Sequence, residues 1–216
     1  PLELTHDCQT VLEHPPNPTA GTKATRALAG AVPSASASQI AVVQSVADHD
    51  PDVDAIFRLV HNHLPIYFAN GVSAEGGGAA WNARAVPRGS MAPFNAQSTL
   101  WAHGGFWGMI LPVTVHGRVS DIWRSYVTQR LMWLVDKQLA LSAPWVKQVR
   151  NAHNYLADYE AETPLYSRSG ALVRFLRAWR PPSNATSLGA CLEELIIALY
   201  EIGVVEETDV LLHQAW

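Results

Sequence analysis

Four short stretches of this sequence gather residue types that can do chemistry together. The first is Asp48–Asp54, where Asp48, Asp50, Asp52 and Asp54 alternate directly after an apolar run. Carboxylates at the end of a strand can hold a hard divalent cation, which then neutralises a diphosphate leaving group. Asp-Pro-Asp also makes turns in which acidic side chains are simply solvated, and both readings stand. The second is Gly117–Arg124, with Asp121 between Arg118 and Arg124. A carboxylate at a helix start can face a pocket, acting as a general base on an acceptor hydroxyl or binding a sugar hydroxyl. The two arginines can pair with it or contact phosphate. The competing reading gives Asp121 to the helix dipole and the arginines to structural pairs.

The third stretch, Arg150–Tyr155, offers His153 as a metal ligand or acid–base group, against a histidine that is merely hydrogen-bonded in a loop. The fourth is Pro93–Trp101. On a strand, Asn95 and Gln97 would share a face, where two amides can read sugar hydroxyls. A polar edge-strand face is the alternative. Eight tryptophans invite a carbohydrate reading too, although Trp123 and Trp133 read as helix-packing residues. The remaining histidines form no ligand pattern, so a metal-dependent hydrolase has no support.

The elements that must position these residues are legible in outline. Ile40–Val46 reads as a strand, and Ala55–Val60 as a second short apolar run. Residues 13–38 and 70–89 read as loops, the former a Pro/Ala/Ser/Thr/Gly-rich insertion. Met91–Val115 is apolar but punctuated by Pro93, Gly104, Gly105, Gly108 and Pro112, which predicts short strands and tight connections. From Ser120, the spacing of Trp123, Tyr126, Val127, Leu131, Leu134 and Val135 marks a helix face, with Ser120 as cap, Asp121 in the first turn and Pro144 as stop. Helices are expected at Gly170–Trp179, Leu188–Ile202 and Thr208–His213, with Gly203 as a stop signal. Strands and loops followed by helices predict an α/β fold with a C-terminal helical segment.

Bulk properties narrow the classes. The 216 residues are 48% hydrophobic and 16% charged, with a net charge of −4, which suffices for one sizeable core and excludes the basic stripe of a nucleic-acid binder. No apolar run reaches membrane-spanning length, and Pro1–Thr10 lacks the order of a signal peptide. Cys8 and Cys191 have no metal-type spacing, which leaves room for a single bridge. Asn184-Ala185-Thr186 matches the N-glycosylation acceptor pattern after Pro181-Pro182.

Asp50–Leu59, Met91–Leu100, Leu111–Tyr126 and Arg150–Leu156 together resemble the motifs of STELLO-like proteins, in order and approximate spacing, across residues 40–180. Ser120-Asp-Ile-Trp123 and Pro1–Leu4 more distantly resemble segments of the reversibly glycosylated polypeptides, the UDP-arabinopyranose mutases. The resemblance implies the later part of a GT-A-like glycosyltransferase domain over residues 1–165 and a helical segment over 166–216. It implies a UDP-sugar donor, a glycan acceptor and Mn²⁺ or Mg²⁺. Asp121 would be the catalytic base, with Asn95, Gln97, Arg118, Trp123, Arg124, Arg150 and Asn154 as substrate-binding residues and His153 as a metal or diphosphate contact. In these families the main aspartate cluster precedes the segment matched by Pro1–Leu4, so that cluster and a membrane anchor are expected outside this chain. Plant members are Golgi membrane proteins linked to cellulose synthesis, which implies a lumenal domain. The alternative is a non-catalytic GT-A-shaped module that assists assembly of a polysaccharide synthase complex.

Overall fold

The computed structural model describes residues 37–63, 66, 83–142 and 144–216. The expected insertion at 13–38 falls outside them except for its last two residues, and so does Cys8. The strand expected from Ile40 forms as β1, Ile40–Ser45, whose buried run Ala41–Ser45 is what a strand covered on both faces requires. The other strands are β2 (Asp48–His49), β3 (Arg84–Ala85), β4 (Thr99–Trp101), β5 (Gln138–Ser142) and β6 (Lys147–Gln148). β3, β5, β1 and β4 lie in that order in one mixed sheet. β1 and β5 run parallel, while β3 and β4 flank them antiparallel. After a short break, β2 and β6 pair in parallel, so the central pair resumes beyond its C-terminal ends.

Five α-helices occur among the described residues: α1 (Ala55–Val60), α2 (Gly117–Met132), α3 (Tyr155–Ala178), α4 (Leu188–Glu201) and α5 (Glu207–Ala215). The short apolar run at Ala55 is therefore helix, started by Asp54, whose carboxylate accepts from the Phe57 N–H at 3.0 Å. α2 begins three residues before the expected Ser120. His116 is its cap, with Nδ1 accepting from the Arg118 N–H, and Ser120 instead donates to the Pro112 carbonyl at 2.6 Å. The same helix stops earlier than Pro144: Asp136 turns left-handed at φ +50°, and Leu139–Leu141 continue as strand β5. Met91–Val115 contains only β4 as strand, followed by a 3-10 segment at His103–Met109.

α3 starts at Tyr155, well before the expected Gly170, and runs through Pro164. The boundary expected at 165/166 falls inside it. One core spans both sides of that boundary, joining Val42 and Leu139 of the sheet to Leu176, Leu195 and Leu199 of the C-terminal helices. Gly203 ends α4 as expected, at φ +71°. Among the described residues, no helix is long and apolar enough to cross a membrane.

Candidate functional site

Three polar side chains spaced four apart on α2 position the site. Asp121 Oδ2 accepts from the Ala96 N–H at 2.8 Å, and Ser125 Oγ accepts from the Phe94 N–H at 3.2 Å. Gln129 takes both groups of Ala92, accepting from its N–H at 3.0 Å and donating to its carbonyl at 2.7 Å. Four residues of helix advance about 6 Å, and two residues of extended chain about 6.6 Å, so the repeats keep step. Residues 92–96 are thus pinned along α2, and the Asp121 carboxylate is held by one oxygen.

A cleft of about 350 Å³ opens in front of it, lined by Asp52, Asn95, Arg118, Asp121, Arg150 and Glu162 among others. A second of about 340 Å³ adjoins it, sharing Asp52, Asp54, Asn95, Ile122 and Leu165 and adding Tyr126, Tyr166 and Ser169. Asp52 comes from the chain after β1 and β2, and Arg150 from the chain after β5 and β6. The site therefore lies beyond the C-terminal ends of parallel strands, where open α/β sheets bind ligands. Burial raises the Asp121 pKa above the ordinary carboxylate value, the Ala96 N–H works against that rise, and the nearby Asp52 charge adds to it.

The cleft's cations are held by carboxylates. Arg150 donates to Asp52 at 2.6 Å. Arg118 reaches Asp158 at 2.6 Å and Glu162 at 3.2 Å. Glu162 is buried and also accepts from the Ala55 N–H at 2.7 Å and from the Tyr166 hydroxyl at 2.5 Å, which ties α1, α2 and α3 together at the cleft. His153 Nδ1 lies 2.9 Å from Arg118 Nη2 and 3.1 Å from Asp158 Oδ2. It accepts from the arginine in one tautomer and donates to the carboxylate in another.

Several expected roles move. Asn95 and Gln97 stand in a loop rather than on a strand, and they clamp the Asp52 backbone: Asn95 donates to its carbonyl and Gln97 accepts from its N–H, both at 2.9 Å. Asn95 still borders the cleft. Trp123 faces the core, 5% exposed, with its indole N–H on Ser169. Arg124 is 6% exposed, lies over the rings of Trp101 and Phe94 and lines neither cleft, donating to the Met109 carbonyl. Asn154 is an exposed helix cap, accepting from the N–H groups of Leu156 and Ala157.

The four aspartates after β1 do not converge. Asp50 pairs with buried Arg58, Asp52 with Arg150, and Asp54 caps α1. Among the described residues, no three His, Cys, Asp or Glu side chains are grouped to hold a metal ion. A divalent cation at His153 Nδ1 would also face the Arg118 guanidinium. The described residues form no set that fits the implied Mn²⁺ or Mg²⁺. Glu162 and Asp158 escaped the sequence reading. Their signal was spacing: at four residues apart, they share one face of α3.

The sheet, its flanking helices and a polar cleft at the strand ends define an α/β protein of mixed sheet with a ligand-sized site. A model of "STELLO glycosyltransferases" matches residues 118–216, from the second residue of α2 onward. The "Probable glycosyltransferase STELLO1" of Arabidopsis thaliana is 30% identical over 179 residues, 81% of this chain and 22% of that protein. The "Probable glycosyltransferase STELLO2" of the same plant is 35% identical over 132 residues, 61% of this chain and 17% of that protein. These matches support a STELLO-like family assignment for the chain. The chain spans about a fifth of the length of these relatives.

Proposed function

We propose that this chain is the acceptor-side part of a GT-A-like glycosyltransferase domain, with Asp121 as the base that takes the proton of an acceptor hydroxyl. The observation that carries the reading is Asp121 itself. Its carboxylate lines an open polar cleft beyond the strand ends, is held through one oxygen, and has its proton affinity raised by burial. The oxygen not fixed by Ala96 accepts the proton as the hydroxyl oxygen attacks the anomeric carbon of a nucleotide sugar, and the nucleoside diphosphate departs. Arg118 and Arg150 bring positive charge to the rim, and Tyr126, Tyr166 and Ser169 line the adjoining cleft where a sugar would lie. A UDP-sugar donor, a Golgi-lumenal setting and a part in cellulose synthesis go with this proposal through the family resemblance.

The test is Asp121→Asn in the full-length protein, assayed for sugar transfer and donor hydrolysis beside a thermal melt. Asparagine keeps the size and the bond from Ala96 but cannot accept the proton. Turnover should fall by roughly two to four orders of magnitude with the melt nearly unchanged. Near-normal turnover would overturn the assignment.

A second reading, an interaction module that assists a polysaccharide synthase complex, has its own support. The cleft's arginines already face carboxylates. On another side, Phe106, Met109 and Trp216 are exposed around an opening of about 680 Å³ that is mostly apolar. Donor hydrolysis abolished by Asp121→Asn would decide for the first reading.

A further inference from the structure

The acceptor triplet Asn184-Ala185-Thr186 lies in the connection between α3 and α4, and the fold displays it. Ala185 is 2% exposed and belongs to the core, while Asn184 and Thr186 on either side are exposed. Asn184 and Thr186 both face solvent on either side of the buried alanine. The Ala185 N–H donates to the Pro182 carbonyl at 3.0 Å, and Pro181 and Pro182 keep the connection out of helix. Neither the Asn184 amide nor the Thr186 hydroxyl makes a side-chain hydrogen bond among the described residues. The small buried alanine is an anchor, and the two groups that glycan transfer needs are both exposed to solvent.

We propose that Asn184 is an N-linked glycosylation site. The co-reactant is an oligosaccharide carried on a polyisoprenyl diphosphate. Asn184 Nδ2 attacks its anomeric carbon and a C–N bond forms. The C–O bond to the diphosphate breaks, the lipid diphosphate leaves, and the amide proton passes to a base of the transferring enzyme. The Thr186 hydroxyl is the recognition element. Modification in the native cell rests on the lumenal setting proposed above. The glycan would not obstruct the cleft. Glu162 stands in the first third of α3 and the triplet follows its last turn, so about 24 Å of helix axis separates Glu162 from the end at Ala178.

The experiment directs the chain into the secretory pathway of a eukaryotic cell with a cleavable leader, which makes the outcome independent of where the native protein resides and of whether it transfers sugar. The secreted wild type should carry one glycan removable by a peptide N-glycosidase, with the Asn184 amide converted to a carboxylate in the released peptide. Asn184→Gln and Thr186→Ala should lose the glycan, and Thr186→Ser should keep it. A folded, secreted wild type without glycan at Asn184, or a glycan that persists there in Thr186→Ala, overturns the proposal.

Discussion

Asp121 owes its place to a polar row inside a helix that is buried nearly all round. The sequence pattern pointed to Asp121 because a carboxylate flanked by arginines is conspicuous. It did not show that Ser125 and Gln129 continue its row, because buried polar residues on a core helix break the apolar periodicity by which helices are read. It also misjudged Arg124, whose guanidinium is 4.9 Å from the Trp101 ring and 5.5 Å from the Phe94 ring and lines neither cleft. The row is testable through Gln129→Leu, which strips both Ala92 backbone groups of their partner. Equilibrium unfolding should show a loss of roughly 1–3 kcal/mol, the usual cost of leaving buried backbone groups unpaired. A loss below that range would mean that the loop at 92–96 is held by something else.

Elements were legible where one local signal dominates. β1, α4 and the stop at Gly203 announce themselves through apolar runs and a glycine. β5 did not, because Leu139–Leu141 extend the helical spacing of the preceding segment and only the left-handed turn at Asp136 separates them. The segment His103–Met109 was opaque for another reason: Gly105 and Gly108 serve contact rather than turning. A Cβ on Gly105 would stand 2.9 Å from the Ala41 backbone carbonyl, so this glycine lets the segment lie flat on β1. Gly105→Ala must push β1 and the segment apart, since a backbone atom cannot swing aside. We expect a destabilisation of about 1–3 kcal/mol by denaturant titration, the range for overpacking.

At the scale of the molecule, the sheet and the C-terminal helices share one core, which the division at 165/166 did not foresee because long-range packing leaves no local mark. α5 closes that core. Buried Asp209 accepts from the N–H groups of Val113 and Thr114, and His213 Nδ1 donates to the Asp209 carbonyl. Burial lowers the His213 pKa below its ordinary 6.5. The folded state therefore favours the neutral ring. Its contribution to stability is complete above pH about 6.5 and is lost as pH falls through the depressed folded value. The melting temperature should decline on acidification through that window, and His213→Leu should flatten the decline.

In the proposed reaction, Asp121 is a base whose proton affinity is set by burial and by the neighbouring charge of Asp52. This role is tested most directly by the pH dependence of kcat/KM for sugar transfer by the full-length protein, wild type against Asp52→Asn. A base must be ionised, so activity rises with pH through its pKa. We expect an acid limb above the ordinary carboxylate value in the wild type, displaced downward in Asp52→Asn because the like charge is gone. An acid limb at the ordinary carboxylate value, or one that does not move in Asp52→Asn, would contradict it.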